Sequence, residues 1–202
     1  MGAAEPFLRE SDHTYWIGER RIPGVTSIID HLTDFSRVPA DKLEVARQKG
    51  QAVHSMVDMH EKGILDEESL PAWLQPILSR YLKWLRETGF RTIKAEHKVY
   101  HSVYCYAGML DRYGEFVHAA EFGFVDFKRS FLAGEVIGVQ LAAYQAAYID
   151  QHRDDKNAKK AKRYALRLHE DGPYRMEPYT DEGQFQDFLT CLAHQRVKEK
   201  YQ

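Results

Sequence analysis

Apolar positions change period along the chain, and the changes mark out its elements. Over 15–22 apolar and polar residues alternate around Gly18, which predicts a small hairpin. Thr26 or Ser27 then caps a short helix through Leu32. From Asp41 the apolar residues Leu43, Val45, Ala46, Val53, Met56 and Val57 take up helical spacing, and this helix ends near Gly63. Pro71 stands at the first turn of another helix, where proline is tolerated. Its apolar residues Trp73, Leu74, Ile77, Leu78, Tyr81, Leu82, Trp84 and Leu85 recur three and four apart, reading as core, and Gly89 stops it. The period then drops to two: strands are expected at 93–100, 104–112 and 118–128, with Arg112-Tyr113-Gly114-Glu115 as a hairpin turn. A helix at 136–150, strands at 163–169 and 175–179 around a Gly172-Pro173 turn, and a last helix capped by Thr180-Asp181 and ending near Tyr201 complete the pattern.

Helices first and then βββαββα imply an α/β fold, a mixed sheet flanked by helices. No repeat or long linker divides the chain, so one domain is expected over 1–202. Its mainly helical part is 1–90, its sheet core 91–180 and its C-terminal helix 181–202. A length of 202 residues with 44% hydrophobic content supports one real core. The net charge of −2 excludes a globally basic surface, so any nucleic-acid contact has to come from a local patch. Two cysteines, Cys105 and Cys191, are too few for a four-cysteine zinc or Fe–S site in one chain, so no Fe–S cluster is expected. No apolar run approaches a membrane span. The first residues lack a basic and then apolar leader, and Pro6 spoils a myristoylation signal. A cytoplasmic protein without membrane contact is the expectation.

The chemistry concentrates in two short stretches. Gly108-Met109-Leu110-Asp111 is followed fifteen residues later by Asp126-Phe127-Lys128, set in the apolar run 122–127. Strand alternation puts Asp126 and Lys128 on one face. A carboxylate in an apolar strand needs a partner, because burying an unpaired charge is costly. Two carboxylates beside a lysine suit a hard divalent cation and a phosphate. Lys128 also reads as no more than a salt-bridge partner of Asp126, and the two roles are compatible. His54 lies on an apolar helix face with Val53 and Val57, a packed core residue or a ligand; Asp58, one turn on, is within reach of it. Glu96 is a further candidate ligand or an exposed strand charge. Gln140 and Tyr144, four apart, share a helix face. Arg129 and the basic run 153–167, with Lys159, Lys160 and Lys162, read as phosphate contacts or as solvated charge.

Taken together these residues resemble the PD-(D/E)XK nuclease superfamily, and in particular its RecB-like and phage exonuclease branch. Gly108-x-x-Asp111 and Asp126-Phe127-Lys128 carry the resemblance. Gln140-Leu-Ala-Ala-Tyr144 is similar to the fourth motif of that branch, and Lys49-Gly50-Gln-Ala-Val-His54 to its histidine-bearing helix. Pro23-Gly-Val-Thr-Ser-Ile-Ile29 is similar to its entry segment. The pieces stand in family order and span roughly residues 13 to 168. The resemblance implies a restriction-endonuclease-like central sheet and a metal-dependent deoxyribonuclease, an exonuclease of recombination or repair type. It further implies one or two Mg²⁺ or Mn²⁺ ions held by His54, Asp111, Asp126 and the Phe127 carbonyl. Lys128 is then the residue for water and phosphate, with Gln140 and Tyr144 beside the centre. DNA is the implied partner, in a bacterial or phage-infected host. A homo-oligomer and a phage or host recombination partner stay open. So do an endonuclease on the same fold, a non-catalytic DNA-binding subunit, and an unrelated metal hydrolase or oxygenase, though no HxD or HExxH spacing is present.

Overall fold

The computed structural model describes residues 7–9, 14–129 and 134–201; most of the N-terminal stretch read for a leader lies outside them. Two sheets form. Strands β1 (Phe7–Arg9), β2 (Thr14–Ile17) and β3 (Arg20–Ile22) make a small antiparallel sheet, with the expected turn at Gly18, whose φ is +57°. The main sheet runs in the order β4 (Phe90–His101), β5 (Tyr106–Phe116), β6 (Glu121–Lys128), β7 (Lys162–Arg167) and β8 (Arg175–Pro178). All its pairs are antiparallel except β6–β7. That parallel pair needs a crossover, which α4 (Gly134–Gln151) and α5 (Lys156–Lys160) supply.

Helices cover both faces, giving an α/β fold with a mixed five-stranded sheet between two helical layers. On one face α1 (Val25–Ile29), α4 and α6 (Gln184–Tyr201) pack with Tyr106, Leu110, Tyr113 and Phe124. On the other, α2 (Ala40–Glu61) and α3 (Gln75–Thr88) bury Val57, Ile77, Tyr81 and Trp84 against Phe116, Val125 and Phe127. Each central strand is therefore covered on both sides, which explains why β6 reads as an apolar run rather than an alternation. Among the described residues no helix is long and apolar enough to cross a membrane.

Several expected boundaries move. No turn forms at 112–115. Arg112 and Tyr113 are buried, and Arg112 is paired on both sides, with Ala95 and Val125, so the ladder overrides local turn preference. Gly114 serves close approach instead, since a Cβ there would run into the Arg91 carbonyl oxygen. The chain reverses at 117–120, where Ala120 takes φ +52°. Helix α3 begins at Gln75, so Pro76 and not Pro71 is the proline of its first turn, and Trp73 lies in the turn before it. Helix α1 starts one residue before Thr26 and has no side-chain cap. Asp155 caps the unexpected helix α5 by accepting from the N–H groups of Asn157 and Ala158.

Candidate functional site

The site follows from one break in the sheet. Strands β5 and β6 pair from Phe116↔Glu121 up to Arg112↔Val125 and no further. The same register would next set Asp111 opposite Asp126. On the other side β4 and β5 pair at Ala95↔Arg112 and His97↔Leu110, skipping Glu96 opposite Asp111. Glu96, Asp111 and Asp126 thus form one row across three neighbouring strands. Like charges directly opposite are destabilising, and the ladder opens where they meet. Past the break Pro23 and Gly24 take the place beside β5: the Ala107 N–H donates to the Pro23 carbonyl at 3.0 Å. The entry segment is thereby tied to the strand carrying Asp111.

Inside the break the Phe127 N–H donates to Asp111 Oδ2 at 2.8 Å. The N–H and C=O of one strand residue point the same way, so the Phe127 carbonyl also faces Asp111. His54 reaches in from α2, its Nδ1 3.6 Å from both Glu96 Oε1 and Asp111 Oδ2. One ligand atom each from His54, Glu96 and Asp111 lies within 4.8 Å of the others. Asp126, 2% exposed, holds Lys128 Nζ at 2.6 Å, as same-face placement allows. Asp58 pairs with Lys62 rather than with His54.

Charges in the site shift one another. The Asp111 carboxylate and then Glu96 and Asp126 overcome the burial of His54 and lift its imidazole to about 9. Burial, reinforced by Asp126 and only partly offset by His54, raises Asp111 to about 6. Burial pushes Glu96 up, but His54 and Arg112 outweigh it and hold the carboxyl below its ordinary range. Burial likewise works against the Lys128 ammonium, yet Asp126 and Asp111 win and keep it above its usual value. Lys128 is therefore a cation at neutral pH.

From the opposite layer α4 brings Gln140 and Tyr144, whose side chains meet, Nε2 donating to Oη at 2.9 Å. Burial raises the Tyr144 hydroxyl well above its ordinary value; Gln140 opposes this, while Asp126 and Asp111 add to it. The ring lies over Gly108, where a Cβ would stand 2.5 Å from Tyr144 Cε1. Glycine in Gly108-x-x-Asp111 is what lets Tyr144 reach the sheet.

The strongest support for the row is a group that the sequence reading left out. Arg112 is fully buried, with Nε 2.9 Å from Glu61 and Nη1 3.2 Å from Glu96. Nη1 also donates to the Asp111 carbonyl at 2.7 Å. Glu61 in turn accepts from Tyr81 and Thr92. Arg112 lies on the face of Phe116, its guanidinium carbon 5.4 Å from the Phe127 ring centroid, so the argument that singled out Asp126, a charge in an apolar strand, applied to it equally. Arg167 is similar: it pairs in register with Lys128, is 2% exposed, and bonds Glu177 at 2.7 Å.

Of the other basic candidates, Arg129 stays beside the row and the three lysines do not. Arg129 follows Lys128 and bonds Glu170. Lys162 is paired with Gly123 and bound to Glu121, five residues from the Lys128↔Arg167 pair, roughly 16 Å along the strands. Lys159 donates to the Arg153 carbonyl, and Lys160 lies exposed beside Lys162 near the start of β6. The structure does not bring these three lysines to the acidic row.

An imidazole and carboxylates suit Mn²⁺ or Mg²⁺, and the donor set His54, Glu96 and Asp111, with Asp126 and the Phe127 carbonyl adjacent, fits such an ion. No family model and no curated protein matches the chain. Among solved structures it is similar to an alkaline exonuclease (LHK-Exo) from Laribacter hongkongensis, at 12% identity and a TM-score of 0.40 over 87% of this chain and 86% of that one. It is similar also to LHK-Exo in complex with dAMP, at 13% identity and a TM-score of 0.39 over 89% and 90%.

Proposed function

We propose that the chain is a divalent-metal-dependent deoxyribonuclease that hydrolyses phosphodiester bonds, of exonuclease type. The row Glu96–Asp111–Asp126, opened by the strand break and met by His54 and Lys128, carries this reading. Three carboxylates so placed make a donor set for a hard divalent cation, and the lysine beside them supplies a donor that carboxylates alone lack. His54, Glu96, Asp111 and Asp126 would hold Mg²⁺ or Mn²⁺, with the Phe127 carbonyl as a further oxygen. Such an ion supplies Lewis-acid polarisation of a phosphate and a more acidic bound water.

The chain's own groups divide the remaining work. Lys128, charged at neutral pH, orients the attacking water and donates to the phosphate oxygen on which charge develops. Gln140 and Tyr144 form the wall of the site on the α4 side and keep bulk water from Asp111. Arg112 holds Glu96 and the Asp111 backbone in place from beneath. The order and spacing of the motif segments support the nuclease class, and the likeness of the 23–29, 49–54 and 140–144 segments to the phage exonuclease branch favours the exonuclease type within it.

Incubation of linear and covalently closed circular DNA with Mg²⁺, Mn²⁺ or EDTA tests the proposal. Linear DNA is expected to be degraded with either metal and left intact in EDTA, while closed circles persist. Equal cutting of circles replaces the exonuclease reading with an endonuclease one. Cleavage that survives EDTA ends the metal-dependent reading.

A further inference from the structure

Beside the acidic row, three elements converge on one atom. Lys49 of α2 and Arg129, just after β6, place Nζ and Nη2 at 3.1 and 3.0 Å from the same oxygen, Oε1 of Glu170, in the segment after β7. Trp73 lies against both cations, its ring centroid 4.9 Å from Lys49 Nζ and 6.0 Å from the Arg129 guanidinium carbon. The aromatic face holds the two heads together at the rim of the core, an arrangement that cation–π attraction favours. Lys49, Arg129, His169, Glu170 and Asp171 line a shallow cleft of about 350 Å³. The His169 imidazole is held below its ordinary range first by burial, then by Arg167, Arg129, Arg175 and Arg80.

The cleft adjoins the candidate centre. It opens at the C-terminal ends of the parallel strands β6 and β7, and the Leu168 N–H donates to the Lys128 carbonyl at 2.9 Å. Lys49 precedes His54 by five residues on α2, about 7.5 Å along the helix axis. We infer that this cleft binds a phosphodiester linkage of a nucleic-acid strand next to the one presented to the acidic row. Lys49 and Arg129 are its donors, and Glu170 is the anion that keeps them converged until the strand arrives. The guanidinium fork and a flexible ammonium meeting on one anionic oxygen match a phosphate. The identity of the ligand rests on the nuclease reading; the convergence of the cations does not.

Anisotropy of a fluorescein-labelled oligonucleotide, titrated with the full chain in EDTA between 50 and 200 mM salt, tests this without cleavage. Lys49→Ala/Arg129→Ala is expected to weaken binding about tenfold and to flatten the log–log salt slope by about one, the loss of one neutralised phosphate. Glu170→Gln removes the competing anion and is expected to tighten binding severalfold. This second variant keeps the test decisive if the first folds poorly. An unchanged slope in the double variant, weaker binding by Glu170→Gln, or no salt-sensitive binding by the wild type overturns the inference. Cleavage with Mn²⁺, assayed separately, decides the nuclease reading: binding without cleavage refutes that reading and leaves the cleft standing.

Discussion

Gly108→Ala isolates one contact on which the site depends. A Cβ at Gly108 would lie 2.5 Å from Tyr144 Cε1, 3.0 Å from Cδ1 and 3.2 Å from Val25 Cγ2. Carbon atoms settle at about 3.5–4.0 Å, so the Tyr144 ring has to retreat by roughly 1 Å. It is 4% exposed and bonded to Gln140, and has little room to do so. Overpacking of this kind costs about 1–3 kcal/mol, and a strained or broken Gln140–Tyr144 bond adds about 0.5–1.5 kcal/mol. Alanine returns about 0.5–1 kcal/mol through the entropy that glycine loses on folding. The expected net loss is about 0.5–4 kcal/mol, read from urea denaturation followed by circular dichroism. In a Tyr144→Leu background the ring edge is gone and only the Val25 contact remains, so the same substitution should cost at least about 1 kcal/mol less. Equal costs in the two backgrounds, within about 0.5 kcal/mol, would show that Gly108 does not serve Tyr144.

Three further outcomes are expected. Asp126→Ala should abolish DNA cleavage, whereas Lys128→Ala should abolish cleavage but keep Mn²⁺ affinity in calorimetric titration; a matched loss of affinity would make Lys128 a structural residue. Arg112→Met should lower stability by about 1–3 kcal/mol, because it takes the buried guanidinium from Glu61 and Glu96, and Glu61→Gln should recover part of that loss in denaturant titration. In EDTA the protein should lose stability as pH rises through about 9. His54 is raised there from 6.5, so its contribution is full below 6.5 and disappears as the folded-state proton leaves; thermal melts of His54→Asn should be flatter over that window.

Much of this was legible in the sequence, and the limits have physical causes. The βββαββα order, the face shared by Asp126 and Lys128 and the pairing of Gln140 with Tyr144 follow from local periodicity. The turn expected at 112–115 fails because turn chemistry is local, whereas the burial of Arg112 and Tyr113 depends on helices more than twenty residues away in the chain. Glu96 was only a further candidate because its neighbours alternate like any exposed strand. What brings it to His54 is a φ of +43°, which no pattern of residue types announces. Lys159, Lys160 and Lys162 looked like a basic patch by composition, yet strand direction carries them to the far end of β6. Lys49 and Arg129, eighty residues apart, converge only because both reach Glu170, just past the end of β7.

The acidic row also explains why the sheet tolerates its own weakest place. A non-glycine residue in the left-handed region costs about 1–3 kcal/mol and persists only where its surroundings over-determine it. At Glu96 those surroundings are a fully buried guanidinium and an imidazole, both bound to its carboxylate. Each acid in the row is restrained by a different donor: Glu96 by Arg112, Asp111 by the Phe127 N–H, and Asp126 by Lys128. With His54 protonated, as its raised value dictates at neutral pH, three cations, His54, Arg112 and Lys128, face the three acids of the row together with Glu61, which shares Arg112. Uptake of a divalent ion in exchange for the His54 proton would raise the charge of this cluster by one, which favours the approach of a phosphodiester. The strained glutamate, the broken ladder and the raised histidine are then consequences of one arrangement, in which carboxylates that repel one another are held together by donors that a cation can partly replace.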